Sequence, residues 1–124
     1  MNVGLVLAIA AACGLAGMVR YALSLAAPRD SFPWPTIVVN GVGTAILTAA
    51  LAAFSVGELS LPAYAILGAG VAGGLTTFST LSADAVRLWR GGRHRAMWAY
   101  LATTLVAGLA ASWATWTAAT ALLR

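Results

Sequence analysis

Four apolar stretches, each about long enough to cross a lipid bilayer, follow one another along this chain of 124 residues. They cover about residues 3–26, 35–57, 59–86 and 96–123. A membrane-spanning helix needs roughly 20 predominantly apolar residues, and each stretch supplies them. Prolines fall only near the ends of the stretches, where a missing backbone N–H is least costly. The pattern predicts an all-α membrane protein in which residues 1–124 form a single four-helix domain.

Composition supports the same class of protein. Hydrophobic residues make up 61% of the chain and charged residues 8%, whereas roughly a quarter of the residues in an average soluble domain are charged. Such a chain cannot cover its surface with polar groups in water, but helices in a bilayer satisfy their own backbone hydrogen bonds. The net charge of +4 is small and comes from scattered arginines. We therefore expect no nucleic-acid partner.

The third stretch contains an unusually polar segment, GGLTTFSTLSAD, from Gly73 to Asp84. Adjacent glycines followed by threonines form a poor helix, so we expect the third helix to be broken near Gly73–Thr77. Carbonyls freed by a break inside a membrane are tolerated when they are buried, line a wet cavity or bind a cation. Hydroxyl donors and the positive edge of the Phe78 ring suit a small anion, although hydroxyls can also bond back to their own helix. The hydroxyl side chains are Thr76, Thr77, Ser79, Thr80 and Ser82.

Two further polar residues lie within the apolar stretches. The amide of Asn40 must find partners in hydrocarbon, so it either bridges two helices or marks a substrate path. Arg20 is expected near the far interface, where it either anchors the helix or lines an aqueous vestibule.

The sequence resembles the Fluc (CrcB) family of fluoride channels over nearly its whole length. The motifs that carry the resemblance are GLAGMVRY (Gly14 to Tyr21), PTIVVNGVGTAILTA (Pro35 to Ala49) and GAGVAGGLTTFSTLS (Gly68 to Ser82). Their order and spacing match the family, and the third motif is highly specific. One position departs from the family, because Leu81 stands where a second phenylalanine is common.

The resemblance implies an antiparallel dimer with two narrow fluoride pores and with the broken third helices crossing at its centre. It implies a structural, untransported sodium ion bound there by the carbonyls of Gly73 and Thr76. Leu81 can fill the volume of the second phenylalanine, but it has no ring quadrupole to offer the ion. This departure raises the question of whether both pores of a homodimer conduct. The expected pore residues are Asn40, Phe78, Ser79, Thr80, Arg20, Tyr100 and Thr104.

Arginine placement bears on the choice of partner. The first and third connectors of a four-helix chain share one side of the membrane, and the positive-inside rule makes this side cytoplasmic. The bias predicts a fixed orientation and a heterodimer with an oppositely oriented homologous subunit; a homodimer is the alternative. The connectors hold Arg29, Arg87, Arg90, Arg93 and Arg95, against Arg124 on the other side.

The expected function is passive export of fluoride from the cytoplasm across a bacterial plasma membrane, which lowers fluoride toxicity. One alternative is a small proton-coupled exporter, which would need a carboxylate deep in the membrane. The acids, Asp30, Glu58 and Asp84, all lie at segment ends, and we expect Asp84 to pair with Arg87. Another alternative is a non-conducting subunit of a heteromeric channel. We expect no enzymatic activity, because no nucleophile has a base nearby in sequence.

Overall fold

The computed structural model describes residues 2–28 and 31–123. These residues contain helices and no strand. Arg29 and Arg124, on which the arginine bias partly depends, lie outside the described residues, as does Asp30.

Four helices are long and apolar enough to cross a membrane, namely Val3–Leu25, Trp34–Ser55, Leu61–Arg90 and His94–Leu122. The predicted all-α, four-span architecture is therefore confirmed. The third span is not one regular helix. The elements in chain order are α1 (Val3–Leu25), α2 (Trp34–Ser55), α3 (Leu61–Ala65), a π-helix (Ile66–Ala72), α4 (Gly73–Leu75), α5 (Phe78–Arg90) and α6 (His94–Leu122).

Local sequence determines where the third span begins and ends. It begins two residues later than predicted, because the Ser60 side chain caps α3 by accepting from Ala63 N and Pro62 occupies the first turn. It ends at Arg90, beyond the predicted residue 86, with two arginines in the last turn of α5. Cations at this position interact favourably with the helix dipole, so the polar tail of the span remains helical.

Glycines bring the third span close to α1. A methyl group added at Gly70 would lie 2.8 Å from the Ala12 side chain, and one added at Gly74 would overlap the Cys13 backbone. Small residues at helix contacts are a common packing solution in membranes, where van der Waals contact is a main source of association. The α1 helix accordingly packs against the π-helix and α4.

The other main contact joins α2 to α6, and α5 packs on α6 beside it. A buried cluster lies at one end of this contact, formed by Ile37, Leu88, Met97 and Tyr100. Many large apolar side chains on the outer faces of the helices remain exposed. This distribution is expected for a chain whose outer surface meets lipid.

The glycine contact gives a testable expectation for stability. We expect Gly74→Ala to lower the free energy of unfolding in detergent by about 1 to 3 kcal/mol, because the new methyl group has no space beside the Cys13 backbone. Gly41→Ala is the matched control, since no atom lies within 4 Å of the added methyl group. Equal thermal stability of the two variants would contradict close packing of Gly74 on α1.

Candidate functional site

The third span is broken at two threonines. The helix α4 ends at Leu75, and Thr76 and Thr77 adopt extended backbone conformations, with ψ of 155° and 126°. The expected break within Gly73–Thr77 is present, but both glycines themselves remain helical. The small size of Gly74 allows close packing on α1, and the non-helical backbone belongs to the residues that follow.

Asn40 of α2 binds the backbone at the break from both sides. The Thr77 N–H donates to Asn40 Oδ1 at 2.7 Å, and Asn40 Nδ2 donates to the Thr77 carbonyl at 3.2 Å. The side-chain amide thus exchanges two hydrogen bonds with the backbone of Thr77. Two residues in a hydrogen-bonded pair of antiparallel strands exchange their bonds in the same way. Asn40 therefore bridges α2 and the third span, which is the first of the two roles that the sequence predicted for it.

This pairing changes what the end of α4 offers to a ligand. In a continuous helix the Thr77 N–H would donate to the Gly73 carbonyl, but it donates to Asn40 instead. The Gly73 carbonyl consequently loses its helical donor, and Gly73 lies on the exposed surface of the chain. The Thr76 carbonyl accepts from Arg20 Nη1 at 3.2 Å.

The chemistry of these two carbonyls fits a sodium ion better than a transition metal. Unwound carbonyls are known ligands for sodium in membrane proteins. No group of three or more His, Cys, Asp or Glu side chains that could hold a metal occurs among the described residues. The Thr76 carbonyl has two lone pairs, so it can accept from Arg20 and still contact a cation. One chain offers two such oxygens, the carbonyl oxygens of Gly73 and Thr76.

The hydroxyls after the break form a local network around Thr77. The Thr77 Oγ1 caps α5 by accepting from Thr80 N at 3.1 Å, and it contacts the Ser79 and Thr80 hydroxyls at 3.2 and 3.1 Å. Thr76 and Ser82 instead donate back to the Ala72 and Phe78 carbonyls. Two of the five hydroxyls thus behave as ordinary helix-bonded side chains.

An open groove runs beside the break, and we call it the phenylalanine groove. It has a volume of about 390 Å³, and its lining includes Asn40, Thr44, Phe78 and Leu81. The Phe78 side chain is 80% exposed. A large ring in such a position lines a groove that one chain alone does not close.

A second groove between α2 and α6 continues from Asn40, and we call it the threonine groove. It has a volume of about 430 Å³ and is lined by Asn40, Thr44, Leu81, Thr104 and Ser112 among others. Leu81, the position at which the chain departs from the family, borders both grooves.

Tyr100 lies away from the grooves. Its ring is fully buried in the core beside Phe32, and its hydroxyl donates to Asp84 Oδ2 at 3.3 Å. The structure thus brings Asn40, Phe78 and Thr104 to the two grooves but keeps Tyr100 in the core.

Sequence reasoning did not single out Thr44 and Ser112 as groove residues. Thr44 follows Asn40 by four residues and Ser112 follows Thr104 by eight, so each pair shares a helix face. That periodicity could have identified both residues. The hydroxyls of Thr44 and Thr104 donate to the Asn40 and Tyr100 carbonyls one turn earlier.

On the opposite side of the break lie two small polar cavities between α1, α2 and α5, which we call the polar mouth. Two adjoining cavities of about 170 and 180 Å³ share Ser24, Pro35, Thr36 and Thr80; Arg20 lines one of them and Asp84 the other. Asp84 accepts from Thr36 at 2.9 Å and forms the expected ion pair with Arg87, also at 2.9 Å. The break therefore separates Arg20 and Thr80 from Phe78 and the two grooves.

Comparison with known proteins identifies the family. The family model described as CrcB-like protein, Camphor Resistance (CrcB), matches residues 6–116. This chain belongs to the CrcB family. The resemblance derived from the three motifs is confirmed, and the CrcB chain is a multi-pass membrane protein by its four spans.

Several CrcB relatives carry the name Fluoride-specific ion channel FluC. FluC 1 of Streptomyces coelicolor is 40% identical over 112 residues, which are 85% of this chain and 71% of the relative. FluC 2 of Geobacillus kaustophilus is 38% identical over 120 residues, covering 87% and 90% of the two chains. FluC 2 of Streptococcus pneumoniae serotype 4 is 38% identical over 105 residues, covering 83% and 85%.

The contact between Arg20 and the break predicts a loss of stability in this CrcB chain. We expect Arg20→Met to lower the free energy of unfolding in detergent by about 1 to 2 kcal/mol, because the Thr76 carbonyl loses a charged donor while the apolar stem is kept. Arg95→Met, in the exposed first turn of α6, is the control. A loss for Arg20→Met no larger than that for Arg95→Met would count against this contact.

Proposed function

We propose that this chain is a subunit of a fluoride-selective channel that exports fluoride passively from the cytoplasm of a bacterium. The observation that carries the proposal is the grouping of the Asn40 amide and the exposed Phe78 ring along one open groove at a helix break. The name shared by several relatives supports fluoride as the ion. No step of passive conduction needs a nucleophile or a nucleotide.

The open shape of the phenylalanine groove supports a dimer. Phe78 is largely exposed on the isolated chain, and the freed carbonyl of Gly73 also lies at the surface. Burial of both against a second subunit closes a narrow path along each groove and removes the ring from lipid. The partner is a second copy in the opposite orientation or an oppositely oriented homologue.

The donors along the path suit a small, strongly hydrated anion. Fluoride entering a narrow pore loses water and needs hydrogen-bond donors in return. The Asn40 amide and the edge of the Phe78 ring supply them at the phenylalanine groove, and the Thr80 hydroxyl lies on the other side of the break, at the polar mouth. Arg20, near the polar mouth, favours entry of an anion. A negative cell interior favours anion exit by about 2.3 kcal/mol per charge per 100 mV.

A sodium ion bound by the Gly73 and Thr76 carbonyls would fix the two broken helices at the dimer centre. When bound, it supplies positive charge and crosslinks carbonyl oxygens of the two subunits. Asn40 assists by removing the helical donor from the Gly73 carbonyl. Arg20 limits the strength of such a site, because its guanidinium contacts the same Thr76 carbonyl.

The position of Asp84 favours a channel over a proton-coupled exporter. An exporter of that kind needs a titrating carboxylate deep within the membrane. Glu58, one of two acids in the described part of the chain, lies in the exposed turn between α2 and α3. Asp84, the other, pairs with Arg87 near the end of the third span. Both positions lie towards the membrane surfaces.

Fluoride efflux from liposomes tests the proposal directly. We expect purified wild-type protein to release fluoride rapidly, measured with a fluoride electrode, and to leave chloride trapped in matched vesicles. Phe78→Ala should slow release strongly, because the exposed ring lines the path. Trp113→Ala, which removes a similarly exposed ring far along α6, is the control and should conduct like wild type.

The same measurement distinguishes the two partners. Fast efflux from the protein alone identifies a functional homodimer despite Leu81 and the arginine bias. Absence of efflux from folded protein, with efflux restored by co-reconstitution of an oppositely oriented homologue, identifies a heterodimer. Absence of fluoride efflux in both preparations contradicts the proposed function.

Sodium removal tests the proposed metal site. When sodium is replaced by N-methylglucamine on both sides of the vesicles, we expect slower fluoride efflux and a lower melting temperature of the detergent-solubilised dimer. Both should recover when sodium is added back, because binding to the folded state stabilises it. Identical melting temperatures in sodium and N-methylglucamine would rule out the site.

A further inference from the structure

The orientation of one side-chain amide follows from the backbone at the helix break. An asparagine amide presents an acceptor at one end and donors at the other, and exchange of its two ends changes the group that faces a ligand. At Asn40 the two ends are distinguished by their partners, because the Thr77 N–H can only donate and the Thr77 carbonyl can only accept. Oδ1 must therefore face the N–H and Nδ2 must face the carbonyl.

Rotation of this amide by half a turn would destroy both hydrogen bonds. It would place Oδ1 against the Thr77 carbonyl oxygen and the NH₂ group against the Thr77 N–H, so that acceptor meets acceptor and donor meets donor. Thr77 is buried, and an unpaired backbone group there has no access to water to compensate. The extended conformation of Thr77, with φ of −153° and ψ of 126°, presents its N–H and carbonyl to the same amide.

The pairing leaves one hydrogen of the amide uncommitted. Pairing of both amide ends with one residue uses Oδ1 and the Nδ2 hydrogen on the same side of the C–N bond as Oδ1. The second hydrogen has no acceptor among the hydrogen bonds of the described residues. Asn40 borders both the phenylalanine groove and the threonine groove.

The hydroxyls beside Asn40 do not direct hydrogens into the threonine groove, so the orientation of the amide determines whether the groove has a donor there. Thr44 and Thr104, which line the threonine groove beside Asn40, donate their hydrogens to carbonyls of their own helices. In this arrangement each presents oxygen lone pairs to the groove. The second Nδ2 hydrogen of Asn40 is therefore the donor that remains available to a ligand where the two grooves meet.

We propose that the Thr77 backbone is a positioning element for anion specificity, because it holds the Asn40 amide with an N–H directed to the grooves and its oxygen turned away. The inference rests on the proposed fluoride conduction. It adds a second role for the helix break besides freeing the Gly73 carbonyl. The break determines which end of the Asn40 amide, the N–H or the oxygen, faces the path. An amide free to turn would offer its oxygen to the path for part of the time, and that oxygen repels an anion.

Selective labelling of asparagine tests the proposal. The chain contains two asparagines, Asn2 and Asn40, and no glutamine, so ¹⁵N-asparagine protein in lipid nanodiscs gives two side-chain NH₂ signals. The Asn2→Asp variant assigns the Asn2 signal and keeps a side chain that can cap α1. For Asn40 we expect one hydrogen, on the same side as Oδ1, to be protected from exchange and unmoved by fluoride. The other hydrogen should shift with fluoride and not with chloride.

Efflux from the same protein preparation separates this inference from the proposed function. Fluoride efflux together with equal exchange of both Asn40 hydrogens, equal fluoride shifts of both, or no shift of either would overturn the inference and leave the channel intact. Absence of efflux both from the protein alone and after co-reconstitution with an oppositely oriented homologue would instead count against the proposed function. Protection of one hydrogen together with a fluoride-specific shift of the other supports the inference.

A backbone substitution tests the cause without changing any side chain. Replacing the Thr77 amide by an ester removes the N–H that donates to Asn40 Oδ1. The ester also weakens the Thr76 carbonyl as an acceptor, so exchange of the Asn40 hydrogens is the deciding measurement. We expect slower fluoride efflux and loss of the difference in exchange between the two Asn40 hydrogens. An ester at Ala85, within α5, is the matched control for the loss of one backbone donor. Equal efflux and unchanged Asn40 exchange in the two esters would overturn the proposal.

Discussion

The structure depends on how backbone groups are satisfied where a membrane helix stops being a helix. Thr76 and Thr77 are extended in the middle of the third span, and hydrocarbon offers them no hydrogen-bond partner. Side chains of two other helices provide the partners: Arg20 donates to the Thr76 carbonyl, and Asn40 pairs with both polar groups of Thr77. The isolated polar residues of α1 and α2 are therefore explained by the break itself.

Close packing holds these partners within reach of the break. A methyl group at Gly74 would overlap the α1 backbone at Cys13, and one at Gly43 would overlap the Thr76 side chain. Glycine thus lets α1 and α2 approach the third span closely enough for Arg20 and Asn40 to bond to its backbone. In this chain the small residues and the polar residues belong to one arrangement, since the hydrogen bonds require the short distances between helices.

Much of the fold could be predicted from sequence because hydrophobicity and length determine membrane spans. The break was also predictable, since glycines and threonines are poor helix formers, but its exact position was not. Gly73 and Gly74 both remain helical. Gly74 packs directly on the α1 backbone at Cys13, and this packing outweighs its low helix propensity. The π-helix over Ile66–Ala72 has no sequence signal that we recognise.

The candidate site was predictable as a set of residues but not as an arrangement. Spacing along a helix could place Thr44 with Asn40 and Ser112 with Thr104 on common faces, yet it could not show which partner satisfies each polar atom. Tyr100 and Thr104 share a helix face by the same rule, and the structure buries the first ring completely while the second residue lines a groove. The packing of α6 against α2 and α5 makes this difference, and it brings together residues far apart in the sequence. The direction of the Asn40 amide is a property of the same kind, because it depends on a backbone conformation 37 residues away.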